Sequence, residues 1–236
     1  MRDIVYVVGH GKLASAVLEH LPEIAQKVQT PIKSVLNWDT SSHKENDVSR
    51  RVVVHCGSGQ QLYDVLEYCQ SNRVPLIQCS TGVTIPDNFA SERTFTIIDA
   101  PNLSIPIVKF LCMLEETGQL FSEYQISITE SHQKTKTTLA GTAAEMAGLL
   151  GIDKSEIKSI RDDDIQKNIL GIPEEFTRQH ALLIVNIKGD ECAITLRTEV
   201  HGLETYVVGL ARLINIIDRL PPGRHALKDL VLQHIV

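Results

Sequence analysis

Residues 130–142 read Glu-Ser-His-Gln-Lys-Thr-Lys-Thr-Thr-Leu-Ala-Gly-Thr and hold His132, Lys134 and Lys136, with no acid from Ser131 to Thr142. The run leads into 143–150, which reads as a helix. Cations beside a helix N-terminus, where unpaired backbone N–H groups point outward, make a site for an anion. The chain as a whole is acidic, with a net charge of −6, so the local reversal of sign requires an explanation. A second candidate site stands near the N-terminus. Gly9-x-Gly11-x-x-Ala14 follows an apolar, β-branched run, Ile4–Val8, and precedes an amphipathic segment, 13–21. In a strand–turn–helix, glycines at this spacing let the backbone approach a pyrophosphate that rests on the helix N-terminus. Lys12 lies in the same loop, within reach of a phosphate.

These residues need a scaffold, and the pattern of the chain supplies one. Apolar strands are predicted at 4–8, 32–36, 51–55, 75–78 and 94–98, with a helix at 62–69 and a polar loop at 40–50. Alternating strands and helices imply a parallel sheet covered on both faces, joined by right-handed crossovers. After Pro101 the pattern changes. A helix is expected at 105–116, a strand at 125–129, and two strands at 181–187 and 193–200 joined through Gly189-Asp190 as an antiparallel hairpin. A long apolar helix at 206–217 is broken by Pro221-Pro222-Gly223, and a last helix is predicted at 226–235. Segment 160–180 reads as a solvated loop with a short helix. The expected fold class is α/β. It comprises an N-terminal Rossmann-type doubly wound parallel sheet (1–103 plus 205–236) and a C-terminal α+β domain built on a mixed sheet (104–204).

Composition narrows the function. At 236 residues, 43% hydrophobic and 22% charged, the chain has the make-up of a globular protein of one large or two small domains. There is no basic stripe, which argues against nucleic acid as a partner. Hydrophobic runs are short and interrupted by charge, so no membrane span is expected, and no signal peptide is read at the N-terminus. Five scattered cysteines (Cys56, Cys69, Cys79, Cys112, Cys192) show no metal spacing. They read as small buried residues with reduced thiols, in a cytoplasmic protein without a metal.

Several motifs fall in order along the chain: Gly9-His10-Gly11-Lys12-Leu13-Ala14, Cys79-Ser80-Thr81-Gly82, Ala100-Pro101-Asn102-Leu103-Ser104, Glu130 to Lys136, and Gly141-Thr142. This order resembles the 4-hydroxy-tetrahydrodipicolinate reductase (dihydrodipicolinate reductase) family, through Lys228-Asp229-Leu230-Val231-Leu232 near the end. The resemblance implies a dinucleotide-binding domain followed by a substrate-binding and oligomerisation domain, in a homotetramer or dimer. It implies NADPH or NADH as cofactor, a small carboxylate as substrate, and a place in the diaminopimelate route to lysine. Residues 79–81 and 100–103 then border the nicotinamide. His132 corresponds to the family's general acid, Lys136 to its lysine, and Gly141-Thr142 to the pair that binds a substrate carboxylate.

The chemistry of these residues agrees. Hydride delivery to a conjugated cyclic imine leaves an electron-rich enamine that must receive a proton, and a histidine suits that task. A lysine stabilises developing negative charge and holds a carboxylate. Thr142, read as a helix cap, offers donors to a second carboxylate. The chain also departs from the family. Gln133 and Thr135 stand where the family keeps histidines, Gln133 at a substrate contact. His55-Cys56-Gly57-Ser58-Gly59 replaces an Asp-Phe-Thr-x-Pro stretch, its glycines pointing to a looser or closer-packed loop. Asn37 takes the place of an acid at the ribose; it can hydrogen-bond a ribose and does not repel a 2′-phosphate, which leaves NADH and NADPH both open. Three readings therefore stand: the family's reductase, a reductase of a different imine or keto acid, and a non-catalytic nucleotide-binding regulatory subunit.

Overall fold

The structure, a computed structural model, describes residues 4–21, 26–30, 51–91 and 93–236. The chain separates into two compact units, Met1–Val108 with Glu204–Val236, and Lys109–Leu203.

The first unit begins β1 (Ile4–Val8), α1 (Lys12–His20), β2 (Gln26–Thr30), β3 (Arg51–His55), α2 (Leu62–Asn72), β4 (Leu76–Gln78), α3 (Asp87–Ala90) and β5 (Thr96–Asp99). The division between units falls within α4 (Ile105–Thr117). Every residue of β1 and β3 is buried, as expected of central strands of a parallel sheet covered on both faces. One face packs Tyr6, Val8 and Val53 against Leu62, Val65, Leu66 and Cys69 of α2.

The second unit holds β6 (Gln125–His132), α5 (Gly141–Leu149), β7 (Lys158–Ile160), α6 (Asp163–Asn168), β8 (His180–Lys188) and β9 (Ala193–His201). Its four-stranded sheet has the order β7-β6-β8-β9. β6 pairs β7 in parallel and β8 antiparallel, and β8–β9 is an antiparallel hairpin, so the sheet is mixed. The chain then returns to the first unit with α7 (Glu204–Ile216), β10 (Gly223–Ala226) and α8 (Leu227–Leu232). The first sheet has the order β10-β5-β4-β3-β1-β2, all parallel. The chain leaves β1 for β2 on one side and crosses to β3 on the other. This reversal opens a crevice at the carboxyl ends of β1 and β3, where open α/β sheets bind ligands.

The strand expected at 32–36 and the loop at 40–50 lie outside the described residues. Other expectations are corrected. The helix expected over 226–235 spans only Leu227–Leu232, and the residues before it form β10. Its sequence, Gly-Arg-His-Ala, does not look like a strand. An edge strand carries polar side chains at little cost, and Arg224 Nη2 donates to Asp99 Oδ2 at 2.6 Å. β6 runs on to His132 rather than ending at 129, because its polar residues find buried partners. α5 begins at Gly141, before the predicted start. Cys69, Cys79 and Cys112 are buried, but Cys192 is exposed and Cys56 partly so; all five are free thiols.

Candidate active site

The loops after β1, β3, β4 and β5 leave the carboxyl edge of the first unit's sheet. After β1, Gly9 has φ +135, and a Cβ there would stand 2.7 Å from the Cys56 carbonyl oxygen. Only glycine lets this loop sit against the one that follows β3. Gly11 is the N-cap of α1 and brings no side-chain hydrogen bond to the helix start; a Cβ on it would meet nothing within 4 Å. The first turn of α1 carries no acid. An exposed glycine cap, open space above it and N–H groups at the positive end of a helix fit a phosphate-bearing dinucleotide. His10 and Lys12 are exposed and Leu13 is half-buried. Asn37 lies outside the described residues.

The loop after β3 is close-packed. A Cβ on Gly57 would lie 2.7 Å from Gln61 Oε1, and one on Gly59 would run into Val83. His55, fully buried at the end of β3, shares its Nδ1 with Gln78 Oε1 at 2.8 Å and Ser80 Oγ at 3.2 Å. Burial pushes the His55 imidazole below its ordinary value, opposed by the Gln78 hydrogen bond and the Ser58 backbone. Ser80 Oγ also donates to the Gly57 carbonyl at 2.7 Å. The Ser80 side chain is therefore committed to the fold. Cys79 is buried, and Thr81 is exposed. Among 100–103, Ala100 and Leu103 are core residues, Pro101 is exposed and the half-buried Asn102 accepts from the Ser104 N–H through Oδ1 at 3.0 Å.

In the second unit, β6 positions His132. Strand alternation puts Glu130 and His132 on one face. His132 Nδ1 donates to Glu130 Oε2 at 2.6 Å. Glu130 Oε1 accepts from Arg161 Nη2 and from Ser159 Oγ, each at 2.6 Å. Ser159 is the register partner of Glu130 on β7. Burial alone pushes the Glu130 carboxyl up, but the hydrogen bonds from His132, Arg161 and Ser159 outweigh it and bring it down to about 2. No protein hydrogen bond occupies His132 Nε2 among the described residues, and the side chain keeps 16% exposure, so this nitrogen is the one that can reach a ligand.

A tight turn follows. Lys136 N donates to the Gln133 carbonyl at 2.9 Å, and Arg161 Nε donates to the Lys136 carbonyl at 3.0 Å. Gln133 and Lys136 are half-buried, while Lys134 and Thr135 are exposed. Gly141 opens α5 and is exposed. Thr142 is not its cap: the N-cap is Ala140, which brings no side-chain hydrogen bond to the helix start, and Thr142 lies inside the first turn. The start of α5 thus has no side-chain cap and no acid in its first turn, a helix end at which backbone N–H groups could meet an anion.

The residues to which the sequence assigned no role in the site are Glu130, Ser159, Arg161 and Gln166. Segment 160–180 is not merely a solvated loop. Asp162 caps α6, accepting from Asp164 N at 3.0 Å and Ile165 N at 2.9 Å. The fully buried Gln166 donates Nε2 to the His132 carbonyl at 2.8 Å. The one available signal was the two-residue spacing of Glu130 and His132, which marks a shared face once β6 is extended.

No family model matches the chain. A chloroplastic 4-hydroxy-tetrahydrodipicolinate reductase of Arabidopsis thaliana is 27% identical over 180 residues, 64% of this chain and 52% of that protein. The chain spans about half the length of the plant relatives it matches. A 4-hydroxy-tetrahydrodipicolinate reductase of Rickettsia peacockii is 20% identical over 231 residues, 93% of this chain and 95% of that protein. Among solved structures, the dipicolinate-bound dihydrodipicolinate reductase of Paenisporosarcina sp. TG-14 superposes with a TM-score of 0.65 at 16% identity, covering 98% of this chain and 100% of that one. The chain is similar in sequence to these reductases and shares their two-part α/β fold.

Proposed function

We propose that this protein is a reductase of a cyclic imine or enamine dicarboxylate that uses a nicotinamide dinucleotide, NADPH or NADH. The leading substrate is a dihydrodipicolinate equivalent in the diaminopimelate route to lysine. The observation that carries the reading is the Glu130-bound His132 four residues before Lys136, in a chain similar to reductases of that substrate.

When bound, the dinucleotide supplies a hydride. Gly9, Gly11 and the start of α1 hold its phosphates, and the exposed residues Thr81 and Pro101 border its nicotinamide end. Doubly protonated His132 delivers the proton that the reduced substrate requires from Nε2 and is left neutral with its remaining proton on Nδ1, facing Glu130. Glu130, already charge-paired with Arg161, stays ionised throughout. Lys136 holds one substrate carboxylate, and the backbone N–H groups of Gly141 and Thr142 hold the other. The same reading carries a homo-oligomer, tetramer or dimer, in the cytoplasm; the free state of all five cysteines supports a reducing compartment. Among the described residues no helix is long and apolar enough to cross a membrane.

A specific observation favours a second reading, a different imine or keto acid on the same scaffold. Gln133 and Thr135 are neutral where the family has histidines, which lowers the positive charge around the anion site. One assay separates the two. Protein is mixed with NADPH or NADH and enzymatically generated dihydrodipicolinate, and the loss of nicotinamide absorbance is followed. Turnover that falls about 100-fold in His132→Gln supports the leading reading. Retained nucleotide binding without turnover refutes it and leaves a different substrate or a non-catalytic nucleotide-binding role.

A further inference from the structure

Glu130 is fully buried, and its two oxygens divide their work. Oε2 receives His132 Nδ1, while Oε1 receives Arg161 and Ser159. Arg161 is equally committed. Nη2 donates to Glu130, Nη1 donates to the Ile160 carbonyl at 2.8 Å, and Nε donates to the Lys136 carbonyl. One guanidinium therefore ties the carboxylate behind His132 to the main chain of Lys136, across 25 and 31 residues of sequence.

We propose that Glu130 and Arg161 are positioning residues of this site: Glu130 fixes His132 in the tautomer with its proton on Nδ1, and Arg161 fixes the distance from His132 to the Lys136 turn. The inference rests on the reading of His132 as proton donor and adds to it the groups that aim it.

Three arguments support a role beyond folding. A buried ion pair is a poor device for stability, because desolvation cancels most of its attraction. The arrangement is also directional. The oxygen facing His132 has no other protein donor among the described residues, so the imidazole alone is oriented by it. Finally, Arg161 and Ser159 satisfy the other oxygen, which keeps Glu130 an ionised acceptor and leaves the Nδ1 proton on the ring, so that Nε2 alone gives up a proton. This is the logic by which a buried carboxylate orients a catalytic imidazole in unrelated folds.

The test uses the whole chain labelled with 15N-histidine, with the His132 signals identified by their absence in His132→Gln. At a pH where the ring is neutral, wild-type His132 is expected as the Nδ1–H tautomer. Glu130→Gln offers one oxygen to three donors, and His132 is expected to revert towards Nε2–H. With turnover measured alongside, kcat falls about 10- to 100-fold while KM changes less than about threefold. Arg161→Lys keeps a cation on Glu130 but loses the donor to Lys136, so the tautomer is retained and KM rises. If Glu130→Gln does not fold, the wild-type tautomer and Arg161→Lys decide the matter. An Nε2–H tautomer in the wild type overturns the inference, as does a folded Glu130→Gln with unchanged tautomer and kcat. A wild-type protein that shows the Nδ1–H tautomer but no turnover refutes the leading reductase reading and upholds the positioning one.

Discussion

The side-chain amide of Gln166 donates to the carbonyl oxygen of His132 at 2.8 Å, while its own Oε1 is buried with no hydrogen-bond partner among the described residues. A glutamine kept fully buried with one end unsatisfied is costly to stability, so its donor end must matter to the strand terminus that it holds. Gln166→Met removes the donor and the orphan oxygen together. The expected loss is about 1–2 kcal/mol, read from urea unfolding, with a several-fold fall in kcat. An unchanged kcat would show that the end of β6 holds its place without this contact.

Gly9 and Gly11 separate fold from ligand. Alanine at Gly9 meets the Cys56 carbonyl in a backbone conformation closed to side chains, and is expected to cost at least about 2 kcal/mol. Alanine at Gly11, where a Cβ meets nothing, is expected to leave stability within about 0.5 kcal/mol. The same Gly11→Ala weakens NADPH binding about tenfold or more, because the backbone then stands off from the phosphates. Thermal unfolding and fluorescence titration of the two variants check both halves. Equal nucleotide affinity in Gly11→Ala and wild type would remove the phosphate site from this loop.

Lys136 contributes its backbone to Arg161, so its side chain can be changed without breaking that link. Lys136→Met is expected to leave the unfolding midpoint in place and to raise KM about 10- to 100-fold, the worth of one charged hydrogen bond to a carboxylate. A normal KM would assign the carboxylate to another cation.

Acid acts on the fold in two stages. His55 and His180 are both held below the ordinary histidine value of 6.5, chiefly by burial. The unfolded chain therefore takes up protons near 6.5 that the folded chain refuses, and stability falls as the pH drops below that point. Glu130 works in the lower range. Its folded carboxyl stays ionised down to about 2, against an ordinary 4.5, so a further loss runs from about 4.5 to about 2. Urea unfolding from about neutral pH to about pH 3 should give a stability that declines throughout. In Glu130→Gln the lower stage flattens. A stability that rose on acidification would contradict the neutral burial of the two histidines.

The parts of the fold that rest on local pattern were legible in the sequence. The valine-rich runs at β1 and β3 and the β8–β9 hairpin announce themselves by apolar residues and a turn, and alternation of strands and helices fixes the sheet as parallel. β10 was hidden because an edge strand needs no apolar alternation, and its pairing with β5 joins residues more than a hundred positions apart. The end of β6 was hidden because Glu130 and Ser131 are polar, and only distant partners make their burial tolerable: Arg161 for one, His180 at 3.0 Å for the other. For the same reason His132, Lys136 and the Gly141-Thr142 pair could be singled out by residue type and order, while Ser159, Arg161 and Gln166 could not. Their role lies in contacts that no local window contains. Thr142 was misplaced as a cap because a threonine before a helix usually is one.

The return of α7, β10 and α8 to the first unit has a consequence for how the chain is made. Residues 109–203 are contiguous and leave the ribosome as a complete set of elements. The first unit is then still missing its edge strand, and β5 waits with an open side until Gly223–Ala226 has been synthesised. Order of emergence therefore favours the inserted unit, and the unit encoded first is finished last. Stopping synthesis just before Pro221 leaves the inserted unit whole and exposes a bare sheet edge on the other, the template on which a nascent chain aggregates.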